Sequence, residues 1–463
     1  MLPHDHLPRA REELRRLVAI PSVSARGEKL AECAEAVRDL LTEAGFNTEI
    51  QPGDVGPFVV GEIGSGPLTV MIYNHYDVQP EDPVSLWHSP PFEMSERDGR
   101  WYGRGVADDK GEFVSRLAGW RLFRERHPGP LPFRLVWLVD GEEEIGSPSL
   151  EAFLKRRFDG EAVDVCWWEY GEIDASGRPI ILCGFKGVMA VELRARTARA
   201  DLHSSLGAVF DNPLWRLAAA TASLRDGTGQ ILIDGFYDAV RQPSLSDSEL
   251  ASAPPYSLDS LMDATGAQRL LDGIDAPNFY RAVNFEPCMN VNGFSGGYAG
   301  EGAKTVLPAE GAVKIDFRLV PDQDPQRIVA LLRAHLDRHG FDDIELIVHD
   351  ANVKPVRSVT DHWFVQDAKA ALEEHFGQPA IVQPSSPASG TAHPFVEQLG
   401  AEIVGLGLTH HGAMLHSPDE NIIVDQFART IECSAAILAK LSRRATRMSG
   451  RSDPEPMPEG ETA

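Results

Sequence analysis

The stretch Trp101-Tyr102-Gly103-Arg104-Gly105-Val106-Ala107-Asp108-Asp109-Lys110-Gly111 holds three glycines, two adjacent aspartates and one lysine. It runs directly into Phe113, Leu117, Trp120 and Phe123, which repeat at helical spacing and predict an amphipathic helix. Glycine and aspartate are also the usual residues of a solvated surface turn. Asp108 is read instead as a carboxylate shared by two metal ions. That reading depends on four other segments supplying matching ligands.

Working outward, residues 68–73 form a short apolar run that predicts a buried strand ending on Asn74-His75-Tyr76-Asp77-Val78-Gln79-Pro80. A second run, 133–139, ends on Asp140-Gly141-Glu142-Glu143-Glu144-Ile145-Gly146-Ser147. Ser147-Pro148 is suited to cap the helix that follows. A third run, 163–168, ends on Glu169, and a fourth, 403–408, leads into a loop carrying His416. Strands that finish in succession on acidic residues or histidine predict an α/β domain with a parallel-dominated sheet, since such sheets build sites at their C-terminal edge.

The pattern changes near Gly187. Met189, Val191, Leu193 and Ala195 alternate with polar or small residues, as do Val313, Ile315, Phe317 and Leu319, so these strands each keep one wet face. The expected organisation is a catalytic α/β domain of mixed, mostly parallel sheet flanked by helices, over 1–186 and 353–447, with an inserted smaller α+β sandwich over 187–352. A disordered tail is expected over 448–463. The stretch 225–293 shows no regular period.

A chain of 463 residues is long enough for two cores. Its net charge of −25 disfavours nucleic acid and anionic membrane as partners. No apolar run is long enough to span a bilayer, and no secretory signal opens the chain. The five cysteines include no CxxC pair and are read as reduced thiols of a cytoplasmic protein.

His75, Asp77, Asp108, Glu143, Glu144, Glu169 and His416 therefore gather at strand ends and loops. Two imidazoles with several carboxylates and no thiolate suit Zn²⁺ or Mn²⁺, with Co²⁺ also accepted. Two such ions about 3.5–4 Å apart need a bridging carboxylate and a further carboxylate that acts as base. Glu143-Glu144 can supply one ligand and one base, and the spacing from His75 lets Asp77 orient the imidazole.

The chain resembles the co-catalytic metallopeptidases that include carnosine-type dipeptidases, aminoacylases, acetylornithine and succinyl-diaminopimelate deacylases, and carboxypeptidase G. The similarity runs through Ile20-Pro21-Ser22-Val23-Ser24, His75 to Pro80, Trp87-His88-Ser89-Pro90-Pro91-Phe92, Tyr102 to Gly111 and Gly141 to Ser147. It continues through Asp201-Leu202-His203-Ser204, Gly302 to Pro308, Arg318-Leu319-Val320-Pro321 and His416-Ser417-Pro418-Asp419-Glu420. It implies one metal on His75, Asp108 and Glu169, and another on Asp108, Glu144 and His416. It further implies Glu143 as general base, Asp77 as the orienter of His75, and a cis peptide bond at Asp108-Asp109. His203 is expected to reach the substrate carbonyl from a partner subunit, which makes the inserted domain a lid and dimerisation domain and the protein a homodimer. Arg318, Thr305 and the Ser389-Gly390-Thr391 loop are expected to hold the substrate, with Arg318 on its carboxylate. The chain departs from the family at Asn74, Asp140 and the Trp-Trp before Glu169, and His393, His410 and His411 are read as loop or supporting residues.

The expected reaction is hydrolysis of an amide bond in dipeptides or short peptides with a free C-terminal carboxylate. The runner-up is an N-acyl-amino-acid deacylase using the same groups. A metal-binding scaffold without activity is disfavoured because every expected position is filled.

Overall fold

The structure, a computed structural model, describes residues 6–450 except residue 253. The tail expected over 448–463 lies outside the described residues from 451 on, while Met448 still belongs to the helix Val424–Met448. The chain divides into two compact units. Among the described residues the first comprises 6–183, 358–383 and 394–450, and the second 184–357 and 384–393. Residues 384–393 return to the second unit.

The first unit is built on a ten-stranded mixed sheet. At its centre β1 (Thr69–His75) pairs in parallel with β2 (Arg134–Asp140) on one side and β3 (Val165–Trp168) on the other. The strand Glu402–Gly405 continues the parallel run beyond β3. Antiparallel strands close the far side of β2, where Phe58–Ile63 pairs with it and Asn47–Gln51 pairs with Phe58–Ile63. β1 and β2 are buried along nearly their whole length, as expected of central strands covered on both faces. Their C-terminal residues, His75 and Asp140, lie side by side in register.

Helix α1 (Lys110–Arg126) departs from the amphipathic pattern predicted for it. Lys110, Glu112, Ser115 and Arg116 on its polar side are as buried as Phe113 and Leu117. The helix packs among other elements on both sides, and its polar groups point inward to hydrogen-bond partners, so the alternation reflected two kinds of interior rather than inside and outside. The 142–149 segment also differs from expectation. Glu143–Ile145 forms a short 3-10 turn and the cap of helix Leu150–Arg157 is Ser149, not Ser147. Ser147 instead takes a left-handed backbone, φ 47°, and turns its hydroxyl to Asp140.

In the second unit β4 (Gly184–Arg196), β5 (Cys288–Gly296) and β6 (Glu310–Leu319) form an antiparallel sheet in the order β5-β6-β4, extended by Glu345–Val353. Val313, Ile315, Phe317 and Leu319 bury one face against Leu217, Leu332 and Leu336, from helices Pro213–Ser223 and Pro325–Arg338. The stretch that showed no period carries three short helices, Leu245–Ala251, Leu258–Thr265 and α2 (Phe279–Phe285). They share a small core of their own around Leu258, Phe279, Tyr280 and Phe285. Helices of two turns leave too few repeats for a hydrophobic period to register. No helix among the described residues is long and apolar enough to cross a membrane.

Candidate metal centre

The C-terminal ends of β1, β2 and β3 and the loops beyond them bring the sequence-predicted donors of the first unit together. Asp108 stands in the middle. Its Oδ1 lies 2.9 Å from His75 Nε2 and its Oδ2 lies 3.0 Å from His416 Nε2. His416 Nε2 is also 3.3 Å from Glu144 Oε2, and His75 Nε2 is 3.8 Å from Glu169 Oε2. Donors held about 2.1 Å from one tetrahedral ion stand about 3.4 Å apart, so these separations match edges of a coordination shell. Asp108, Glu144 and His416 form one compact triplet, as the resemblance implies. The other compact triplet is His75, Glu143 and Glu169, so Glu143 lies among the donors as well as beside them. Asp108 joins that group through its contact with His75.

The fit to a cation is visible in one orphaned atom. Glu169 is buried, and its Oε2 has no hydrogen-bond partner among the described residues. A buried carboxylate oxygen left without a donor is costly unless a cation takes its place. The donor set itself, nitrogen and oxygen without sulfur, suits Zn²⁺, Mn²⁺ or Co²⁺.

The acidic groups of the cluster repel one another. Burial, reinforced by Glu144, Asp108 and Asp77, pushes the Glu143 carboxyl up to about 8 against the pull of His75. Burial likewise raises Glu169 and Glu144. Burial also opposes ionisation of Asp108, but the His416 and His75 rings outweigh it and hold that carboxyl well below its usual range. His416 is raised to about 10 by Asp108 and Glu144, and His75 is raised although burial alone would lower it.

The polypeptide around each donor explains its position. His75 Nδ1 faces the carbonyl of Asp77 at 3.0 Å and the Asp77 carboxylate at 3.3 Å. A carbonyl only accepts, so Nδ1 carries a proton and Nε2 is the nitrogen turned to the donors. Asp77 also accepts the backbone N–H groups of Glu143, at 3.2 Å, and Glu144, at 3.0 Å. One buried carboxylate thus fixes both the imidazole and the acidic turn. The Asp108 loop needs its glycines: Gly105 has φ 88°, and a side chain on Gly111 would come within 1.8 Å of the Val106 carbonyl. The Asp108-Asp109 peptide bond is cis, as expected. His416 lies on a turn where Met414, His416 and Asp419 have φ of 56°, 57° and 61°. Three non-glycine residues in the left-handed region are uncommon and typical of functional sites.

Sequence reasoning missed the supports. Glu420, fully buried, accepts the N–H groups of Gly105, Ala107 and Asp108 and an Arg104 guanidinium at 2.7 Å. Gln79 donates to Glu144 from its side chain, at 2.7 Å, and from its backbone, at 3.1 Å. Arg116 of α1 donates to the carbonyls of Tyr73, Trp168, Glu169 and Leu406, tying the ends of adjacent strands together. Asn74, one of the departures, bridges Trp137 Nε1 and Asp109, whose carboxylate also takes the His75 N–H. Trp168 stacks on Tyr73 with ring centres 4.4 Å apart, which accounts for the tryptophan before Glu169. Asp140 accepts from Tyr73, Ser147 and the Glu142 N–H. His410 pairs with Asn421 and Arg100, the supporting role expected of it.

The remaining predicted residues belong to the second unit and fall in two groups. Strands Leu202–His203 and Val306–Leu307 pair antiparallel, and the Ser204 N–H meets the Thr305 carbonyl at 3.2 Å, which sets His203 near Thr305. Exposed His203 caps the turn Ser204–Ala208. Arg318 Nη1 donates to Ser389 Oγ at 2.9 Å, and Gly390 and Thr391 follow directly.

A family model described as Peptidase family M20/M25/M40 matches residues 71–440. The Cys-Gly metallodipeptidase dug1 of Schizosaccharomyces pombe is 27% identical over 93% of this chain and 94% of its own length. The Beta-Ala-His dipeptidase of Rattus norvegicus is 25% identical, over 94% of this chain and 89% of its own. Among solved structures, an M20 family metallo-carboxypeptidase, Sso-CP2 from Sulfolobus solfataricus, superposes with a TM-score of 0.86 at 33% identity, covering 93% of this chain and 98% of that one.

Proposed function

The chain belongs to peptidase family M20/M25/M40, and on that premise we propose that it is a dipeptidase: it hydrolyses the amide bond of dipeptides or short peptides that carry a free C-terminal carboxylate. The observation that supports this most is Asp108, whose two oxygens face two different imidazoles inside a ring of three further carboxylates. The relatives that are dipeptidases by name favour this substrate over an N-acyl amino acid.

In this reading His75, Asp108 and Glu169 would hold one divalent cation, and Asp108, Glu144 and His416 would hold the other, Zn²⁺ or Mn²⁺ in the first instance. When bound, the two ions polarise the scissile carbonyl and make a water acidic enough to attack at neutral pH. Glu143 takes the proton of that water and returns it to the leaving amine. Burial pushes its carboxyl up to about 8, near the range in which a base both accepts and gives back a proton. Asp77 keeps Glu143 and His75 in place. Arg318, beside Ser389, grips the substrate carboxylate through its planar fork, with Thr305 and the 389–391 loop closing around the substrate.

The second unit serves as lid and dimerisation domain, and His203 of the partner subunit stabilises the charge that develops on the carbonyl oxygen. Val209 and Trp215, 76% and 75% exposed on this unit, support an interface there. A cytoplasmic location fits the cysteines, which are all free thiols.

A panel of dipeptides set against N-acetyl and N-succinyl amino acids, run with Zn²⁺ or Mn²⁺ and repeated with chelator, tests the proposal. Dipeptides are expected to turn over, and chelation to stop the reaction. Turnover confined to N-acyl amino acids, or unaffected by chelator, contradicts it.

A further inference from the structure

The two imidazoles of the metal centre are held in different ways. The His75 side chain is 1% exposed, and Asp77 holds its Nδ1 while its Nε2 faces the other donors. His416 has 55% of its side chain exposed, and its Nε2 meets Asp108 and Glu144. Among the described residues no group lies within hydrogen-bond distance of His416 Nδ1. A metal-binding imidazole is ordinarily aimed by a partner on its second nitrogen. Without one, the direction of the His416 ring is left to the backbone that carries it.

That backbone is the turn on which Met414, His416 and Asp419 take left-handed conformations. Non-glycine residues stay there only where their surroundings over-determine them. The ends of the turn are tied together. The Asn421 N–H meets the Ala413 carbonyl at 2.9 Å, and the Asn421 side chain donates to the carbonyls of Gly412, at 2.8 Å, and Asp419, at 3.0 Å. The Asp419 carboxylate reaches out of the turn. One of its oxygens accepts the His88 N–H at 3.1 Å, and the other accepts from the His88 ring at Nδ1. Arg97 Nη2 approaches the first oxygen at 3.5 Å.

His88 is fixed from its own side. Trp87 Nε1 donates to the Glu81 carbonyl at 2.8 Å, Ser89 Oγ accepts from Arg97 at 2.9 Å, and the Arg104 N–H meets the Pro91 carbonyl at 2.7 Å. The Arg97 guanidinium lies 3.8 Å over the Tyr102 ring, and Tyr102 pairs with Asn421 at the end of the turn. The clamp therefore closes back on the element it holds. The His88 side chain is 79% exposed, and a pair so open to water adds little to global stability. Its effect is on the direction of the turn rather than on unfolding.

We propose that His88 is a positioning residue of the second cation site: through Asp419 it holds the strained turn in the geometry that aims His416 at Asp108 and Glu144. The inference rests on the metal-centre reading given above, and adds to it that the two cations are braced by separate devices, Asp77 for one and the His88–Asp419 pair for the other.

The test is Zn²⁺ binding to the full chain, read by competition with a chromophoric chelator. Groups that orient metal ligands are worth about 10–100-fold in affinity, so His88→Ala is expected to weaken one of two equivalents by about 10-fold and leave the other unchanged. His88→Asn, whose amide N–H can still donate to Asp419, is expected to recover most of the loss. Asp419→Gly keeps the left-handed backbone without strain and removes only the carboxylate, so it should match His88→Ala. The urea midpoint of the metal-free chain is expected to stay the same in all three. Amide hydrogen exchange on the metal-free chain reads the turn without any ion: His88→Ala should speed exchange several-fold over 414–419 and leave 74–79 unchanged. Two equivalents weakened alike, neither weakened, no recovery by His88→Asn, or exchange over 414–419 unaltered overturns the inference and leaves the metal-centre reading standing. Fewer than two equivalents in the wild type overturns both.

Discussion

The end of the central sheet in the first unit and the sheet around Lys186 in the second are opposites in charge. The first gathers Asp108, Glu143, Glu144 and Glu169 around two imidazoles, and burial makes the three glutamates resist ionisation. The second buries Lys186 near Arg318, with the Glu286 carbonyl accepting from its ammonium. The first is built with the charge that its cations must neutralise. They also differ in support. The acidic cluster is braced by Asp77, Gln79, Arg116 and Glu420 through backbone hydrogen bonds, whereas Lys186 is held by a single carbonyl. Preorganisation is concentrated where bonds are broken.

The largest effect should come from the residue that separates chemistry from binding. Glu143→Ala is expected to keep two metal equivalents while turnover falls at least about 10²-fold, the usual size of an acid–base contribution. Loss of one equivalent would move Glu143 from base to ligand, in line with its triplet with His75 and Glu169. Next, Glu420→Ala strands a buried Arg104 guanidinium and three N–H groups of the Asp108 loop. Breaking a buried pair in this way costs about 3–5 kcal/mol, so urea unfolding should show a loss of that order. A change below about 1 kcal/mol would mean that the loop is held by something else.

Much of this is legible in the amino-acid sequence. His75 and Glu169 could be found because they end apolar runs, and Asp108 and His416 because their loops carry chemistry that a solvated turn does not need. The supports could not be found in this way. Glu420, Gln79 and Arg116 act on backbone groups of distant segments, and a backbone partner leaves no trace in the sequence. The inward polar side of α1 looked like a wet face for the same reason: Lys110 gives its ammonium to the carbonyls of Leu17 and Ile20, and nothing in residues 17–20 announces it.

Smaller effects would sharpen the contrast. Asp77→Asn and Gln79→Leu remove groups that aim the donors without being donors, and each is expected to weaken metal affinity about 10–100-fold, read by chelator competition. Unchanged affinity in both would show that the donors need no bracing. The pH dependence follows from the raised imidazoles. His416, at about 10, is protonated at pH 7, and cation binding requires its neutral form. Metal uptake should therefore release protons, and affinity should rise with pH by about 10-fold per unit for each proton displaced. Calorimetry in buffers of different ionisation enthalpy measures this, and uptake without proton release at pH 7 would contradict the assignment of His416.

The most direct test of the central claim is the metal content of purified protein and of Asp108→Ala, measured by elemental analysis after loading and desalting. Two equivalents per chain in the wild type and the loss of both in the variant are what a shared carboxylate requires. One equivalent in the wild type, or two that survive without Asp108, would contradict it.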